Sequence, residues 1–329
     1  MTTPPRLAAA VFAAALAGAA VAAQTPAAPR VQSQVARTVD VAQMIAALPE
    51  TAPAPPKQPR RVLVLGRASG FIHASIPLAA RTIEALGQKT GAWTTVITYS
   101  AADVTAANLQ QYDAIVLAST TGKFLDDGDA AASAERRKAL FDFVRGGKGL
   151  VGIHAATDAY HGNPAGGSDG PAGGEPLWPE FIKMIGGYLK WHWNYRTMIA
   201  VKVEDPANPI NAAFTTVNQA GERAARAFSI ADEVYTFNQQ SWVRTNVRVL
   251  TSIDYAKMPS VVKAQEPAPQ RTDHDYPLSY IHREGSGRVF VQVLGHDESI
   301  YKLTPMLAHI LAGVQYALGD LQANDAPSK

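Results

Sequence analysis

From about residue 60 onward, short runs of β-branched and other apolar residues alternate with stretches whose apolar positions recur every three to four residues. Runs of the first kind, Arg61–Leu65, Thr95–Tyr99, Ala114–Ala118 and Gly149–Ile153, read as strands buried on both faces. Between them, residues 75–86, 102–110 and 134–145 read as helices. The last of these ends in Arg145-Gly146-Gly147, a cation in the final turn followed by residues free to take positive φ. Alternation of this kind predicts an α/β fold with a mainly parallel sheet and helices on both faces. Further strands are expected at 198–203, 247–253, 277–282 and 288–294, some antiparallel, before a closing helix at 305–318 that puts Leu307, Ile310, Leu311 and Val314 on one face. One domain over 60–320, followed by a polar tail at 321–329, is the simplest partition, and no internal repeat is visible.

The first 60 residues have a different pattern. Residues 1–23 carry one charge, Arg6, then an apolar run from Leu7 to Val21 and small residues at Ala20, Ala22 and Ala23. This is the layout of a secretory signal peptide, and the run is too short and too rich in alanine for a spanning helix. A periplasmic or secreted protein is expected, with no stable membrane insertion after cleavage. Residues 24–59 are rich in Ala and Pro and read as a semi-rigid spacer. Within it, Val35, Val39, Val41, Met44, Ile45 and Leu48 have near-helical spacing and suit a short docked helix.

Composition narrows the chemistry. Lys plus Arg is 30 against 28 for Asp plus Glu, a formal charge of +2, so no electrostatic footprint for nucleic acid is present and no such partner is expected. The absence of Cys excludes disulfides, thiolate metal sites, iron–sulfur clusters and a cysteine nucleophile. Hydrophobic residues make up 47% of the chain, which excludes disorder throughout.

Ligands of open α/β sheets bind beyond the carboxyl ends of the strands, which directs attention to the residues following each apolar run. Those segments contain no G-x-G-x-x-G opening a helix and no Walker lysine, so nucleotide binding has no motif to support it. They do contain histidines. His73, His154 and His296 each follow an expected strand, and His192 lies among Tyr188, Trp191 and Trp193. Imidazole is both the commonest metal ligand and an acid or base matched to neutral pH, so convergence of these four would serve either use. Gly152-Ile153-His154-Ala155-Ala156 has the shape of a nucleophile elbow, small residues flanking a polar one at a strand end, but it presents an imidazole where acyl transfer needs Ser or Cys.

Taken in order, Gly70-Phe71-x-His73, Gly152-Ile153-His154-Ala155-Ala156-Thr157-Asp158, Gly186-Gly187-Tyr188-Leu189-Lys190-Trp191-His192, Asp232-Glu233-x-Tyr235, Arg271-x-Asp273 and Gly295-His296 resemble the ThuA-like (trehalose utilisation) family over about 61–318. The resemblance implies a flavodoxin-like doubly wound fold, similar to class I glutamine amidotransferases, and a role in using trehalose or related disaccharides. It does not imply amidotransferase activity, because His154 stands at the elbow where that superfamily carries Cys.

The matched motifs add candidates. Asp232 and Glu233 suit a general base, a metal ligand or a sugar-hydroxyl acceptor, and equally a helix-start or surface-turn acid. Arg271 and Asp273 read as an ion pair fixing their loop or as substrate contacts. Trp178, Trp191, Trp193 and Tyr188 offer flat faces for a sugar ring or for core packing. The glycine-rich loop at 160–175 suits a lid.

The leading expectation is therefore an exported enzyme, a hydrolase, lyase or isomerase acting on a trehalose-type disaccharide or keto-sugar. His154, His192, His296, Asp232 and Glu233 are its catalytic candidates. His73, Asp158, Lys190, Trp191, Arg271 and Asp273 are its substrate-binding candidates. A divalent metal such as zinc on His154, His192 and His296 is the cofactor considered, a small carbohydrate is the expected ligand, and assembly with a second copy is left open. The alternative is a non-catalytic carbohydrate-binding or accessory module on the same fold.

Overall fold

The computed structural model describes residues 31–162 and 176–329, so residues 1–23, read as a leader, and most of the glycine-rich loop, read as a lid, lie outside the described residues. In chain order the main elements are α1 (Thr38–Ala46), β1 (Arg61–Leu65), α2 (Ile76–Thr90), β2 (Thr94–Thr98) and β3 (Ala114–Ala118). They continue with α3 (Ala130–Arg145), β4 (Gly149–Ile153), α4 (Pro179–Ile185), β5 (Leu189–Val203) and β6 (Phe228–Phe237). The last are β7 (Arg248–Ile253), β8 (Pro277–Glu284), β9 (Gly287–Gln292) and α5 (Thr304–Leu318).

These strands form one nine-stranded sheet in the order β2-β1-β3-β4-β9-β8-β7-β5-β6. Pairing is parallel from β2 through β9 and antiparallel beyond, so seven of the nine strands point the same way. Period-two alternation explains why both faces are covered. Val62 and Val64 of β1 enter a core shared with α2 and α5, while Leu63 and Leu65 enter a second core shared with α3 and α4. All four are fully buried, each contributing about 1.5–3 kcal/mol of apolar transfer. This is the expected flavodoxin-like doubly wound arrangement, extended by an antiparallel wing.

Three segments depart from the sequence reading for identifiable reasons. The helix expected at 102–110 is two pieces, a 3-10 turn at Ala101–Asp103 and a single turn at Ala106–Leu109. Thr105 is extended and its hydroxyl accepts from the Asn108 amide (3.2 Å), so it restarts the helix instead of continuing it. β5 begins at Leu189, well before the expected 198, because Leu189, Trp191 and Trp193 alternate with Lys190, His192 and Asn194 until a bulge between Trp193 and Thr197 breaks the period. The short docked helix read within the spacer is α1, and Met44 and Leu48 join the core as expected; the departure lies beyond it, where the Ala54 backbone pairs in both directions with the Gln315 side chain (3.1 and 2.6 Å). The polar tail is likewise docked, with the Ser328 amide donating to the Val247 carbonyl at 2.8 Å.

The bulge also divides β5 into two halves with different neighbours. Only Val201–Val203 pair with β7, whereas the first half of the strand pairs with β6 alone. The resulting two-stranded ribbon carries His192 and Glu233 to the carboxyl ends of β4 and β9, within reach of His154 and His296.

Candidate functional site

His154 is placed by the turn that ends β4. It takes φ of +46°, and its small neighbours Ala155 and Ala156 are fully buried, so the elbow read from sequence is present in the backbone. Its Nδ1 lies 2.8 Å from the Val293 carbonyl, which can only accept, so Nδ1 carries a proton and Nε2 is left either to hold a second proton or to present a lone pair. That Nε2 is buried without a hydrogen-bond donor and faces Oε2 of Glu233 at 3.3 Å. Two acceptors facing each other call for a proton or a cation between them.

His296 is placed by Asp232. The fully buried Asp232 carboxylate accepts from three successive amides after β9: Gly295 (2.6 Å), His296 (3.3 Å) and Asp297 (2.9 Å). Burial raises its pKa, while His154, two of those amides and His296 pull it down. Asp232 is therefore a positioning residue. Gly295, at φ +139°, has no room for a side chain, since a Cβ there would lie 2.6 Å from the Tyr301 hydroxyl.

Glu233 is the hub. Its Oε2 accepts from His296 Nδ1 (3.0 Å), and its Oε1 lies 3.1 Å from Nδ1 of His192. Burial would raise this carboxyl, but the imidazoles of His154, His296 and His192 hold it well below the usual range. His296 is lifted above its ordinary value, because the Glu233 carboxylate outweighs the effect of burial. His73 is held well below 6.5 by burial and by the neighbouring imidazoles, so it is neutral at pH 7, and its Nδ1 is buried without a hydrogen-bond partner. The His73 ring meets His154 and His296 edge-on at 4.8 and 5.0 Å.

One ligand atom from each of His73, His154, Glu233 and His296 lies within 4.8 Å of all the others. Two orphaned imidazole nitrogens and a carboxylate oxygen in so small a volume fit a zinc-type cation with a nitrogen-rich donor set. This set differs from the triad His154, His192 and His296: His73 and Glu233 belong to it, and His192 stands on the far oxygen of Glu233 with 42% of its side chain exposed.

The other candidates are engaged elsewhere. Lys190 reaches Glu266 (3.3 Å) and the carbonyls of Pro267 (3.2 Å) and Pro269. Arg271 is buried, paired with Asp273 (2.9 and 2.7 Å) and directed at the Phe237 and Trp242 carbonyls, which is the loop-fixing alternative. Trp191 is half-buried against the core beside Trp193, its ring nearly parallel to His192 at 6.4 Å. Asp158 is buried, with Oδ1 at 2.5 Å from Nε2 of His161. Sequence reasoning passes over His161 because it opens the glycine-rich loop, and passes over Val293 because only its backbone takes part. Tyr235, 4.5 Å from His154 between ring centres, is legible only as a motif position.

The model of the ThuA family, described as trehalose utilisation, matches residues 61–317. A ThuA-like protein from Bacteroides uniformis superposes with a TM-score of 0.57 at 17% identity, covering 79% of this chain and 92% of its own. A ThuA-like protein from Parabacteroides merdae gives 0.53 at 17% identity, covering 82% of this chain and 95% of its own. At such identities these likenesses show the fold. No curated protein matches in sequence. The chain belongs to the ThuA family, whose family-level role is trehalose utilisation.

Proposed function

We propose that this member of the trehalose-utilisation family is an exported enzyme acting on a trehalose-type disaccharide or keto-sugar, with a divalent cation such as zinc at the histidine–carboxylate cluster. One observation carries the reading: Nε2 of His154, its ring fixed by the Val293 carbonyl, faces the Glu233 carboxylate across 3.3 Å with a proton or a cation needed between them. A cation held by His73, His154, Glu233 and His296 would supply Lewis acidity to a sugar carbonyl or hydroxyl, or to water.

The chain's own groups do the rest. Glu233 fixes the His296 ring through Nδ1 and is kept ionised by its imidazole neighbours. His192, half-exposed on the other carboxylate oxygen, is the group suited to exchanging a proton between ligand and solvent. His154 keeps one tautomer because its partner is a main-chain oxygen. The leader-like residues 1–23 support export, and among the described residues no helix is long and apolar enough to cross a membrane.

Metal content by mass spectrometry tests the reading on the mature protein and on His73→Ala, His154→Ala, His296→Ala and Glu233→Gln. The expected result is one equivalent of zinc or manganese, falling below roughly a tenth in each folded variant, as loss of a ligand or its support lowers affinity tenfold or more. A folded, metal-free wild type overturns the metal assignment and leaves proton transfer as the histidines' role. Trehalose binding without turnover of trehalose or its keto derivative would instead establish the accessory-module alternative.

A further inference from the structure

Isolated apolar side chains on a surface are ordinary and need no explanation. Phe71 is not ordinary in three respects. It is 42% exposed, whereas Trp193, Tyr235, Tyr276 and Tyr301 are buried. Its ring stands beside the cluster, edge-on to His73 at 4.8 Å and nearly parallel to His296 at 6.4 Å. Its backbone is tied down: Thr121 Oγ1 donates to the Phe71 carbonyl (2.8 Å) and accepts from the Gly70 amide (3.1 Å), while the Ser69 amide donates to the Thr121 carbonyl (3.0 Å). Gly122 closes this contact, since a Cβ there would lie 2.8 Å from the Gly70 nitrogen. A pinned backbone that holds a hydrophobic ring in water next to polar groups is a preorganised platform.

We infer that Phe71 is a substrate-positioning residue, a wall against which the apolar C–H face of a pyranose ring stacks while the sugar's hydroxyls face the histidine–carboxylate cluster. The inference rests on the proposed carbohydrate function. A pyranose presents hydroxyls around its rim and C–H bonds on one face, so it needs one flat apolar partner and several polar ones. Phe71 supplies the first. Half-exposed His192 and the cluster supply the second. The ring touches His73 and His296 but has no polar atom, so its part is to orient the ligand.

Titration calorimetry with trehalose tests this on metal-replete wild type, Phe71→Ala and Phe71→Trp, with metal content and thermal unfolding measured alongside. The expected result is at least a tenfold weaker Kd for Phe71→Ala, wild-type-like binding for Phe71→Trp, and unchanged metal content in both. Equal trehalose affinity in wild type and Phe71→Ala overturns the stacking role while leaving the carbohydrate reading intact. Loss of metal or of folding in Phe71→Ala, with Phe71→Trp failing to restore trehalose binding, reassigns the ring to support of His73 and overturns the inference. No trehalose binding by metal-replete wild type overturns the carbohydrate reading and the subsite together.

Discussion

His309 on α5 and His154 at the end of β4 are both wholly buried, yet they have opposite surroundings. The His309 ring is used up by neutral oxygens, Nδ1 against the Ile210 carbonyl and Nε2 against the Ser279 hydroxyl, both at 3.0 Å, and burial pushes its pKa down to about 4. His154 satisfies one nitrogen in the same way and leaves the other facing a carboxylate and two more imidazoles. Burial does not separate a structural histidine from a chemical one. What separates them is whether the second nitrogen already has a neutral partner.

That contrast can be attacked most strongly with acid. His282 and His309 are both pushed down to about 4 by burial, whereas an unfolded histidine binds a proton near 6.5. The unfolded chain therefore takes up protons first: the stability these two neutral rings allow is complete above 6.5, falls as the pH drops toward 4 and then levels off. On the order of 3 kcal/mol per ring should be lost across that window. Urea unfolding at pH 7 and pH 4.5 should show the loss, and His309→Gln should reduce it by about one ring's share.

Next in size, His309→Ala should cost about 3 kcal/mol through its cavity and the hydrogen bonds it makes to Ser279 and Ile210, without changing metal content. His154→Ala should do the reverse, losing metal while moving Tm less. If both variants lost metal equally, the distinction between the two histidines would fail. The smallest expected effect is that of Asp232→Asn, which keeps the shape but replaces an acceptor of three amides with a side chain that is also a donor. About 1–2 kcal/mol of stability should go, with a tenfold or greater drop in metal affinity as the His296 loop loosens. Unchanged metal affinity there would show that His296 is held by the rest of its loop.

The parallel half of the molecule is legible in the sequence because both periodicities are clean: Val62 and Val64 face one way and Leu63 and Leu65 the other, with amphipathic helices between the strands. His73, His154 and His296 are legible because strand ends point to the ligand side of such a sheet. The ribbon is not. Its bulge interrupts the alternation after Trp193, and Asp232-Glu233 in mid-strand looks like a turn until Gly295, His296 and Asp297 are seen to supply amides to it. Sequence offers loop-fixing for Arg271 as one of two readings but does not decide it, and it does not say that Lys190 is committed to a loop; both depend on Glu266, Pro267 and Trp242, distant in the chain.

The chain-distant origin of the four cluster residues also bears on when the site comes into being. His73 follows the first strand and His296 the last, while Glu233 arrives on a ribbon at the far edge of the sheet. No early folding intermediate built from local contacts can contain them all, and closing such long loops is slow. Appearance of the assembled cluster is thus a late event, so a cation captured there would report completion of the fold and, by binding only the finished state, would resist its unravelling.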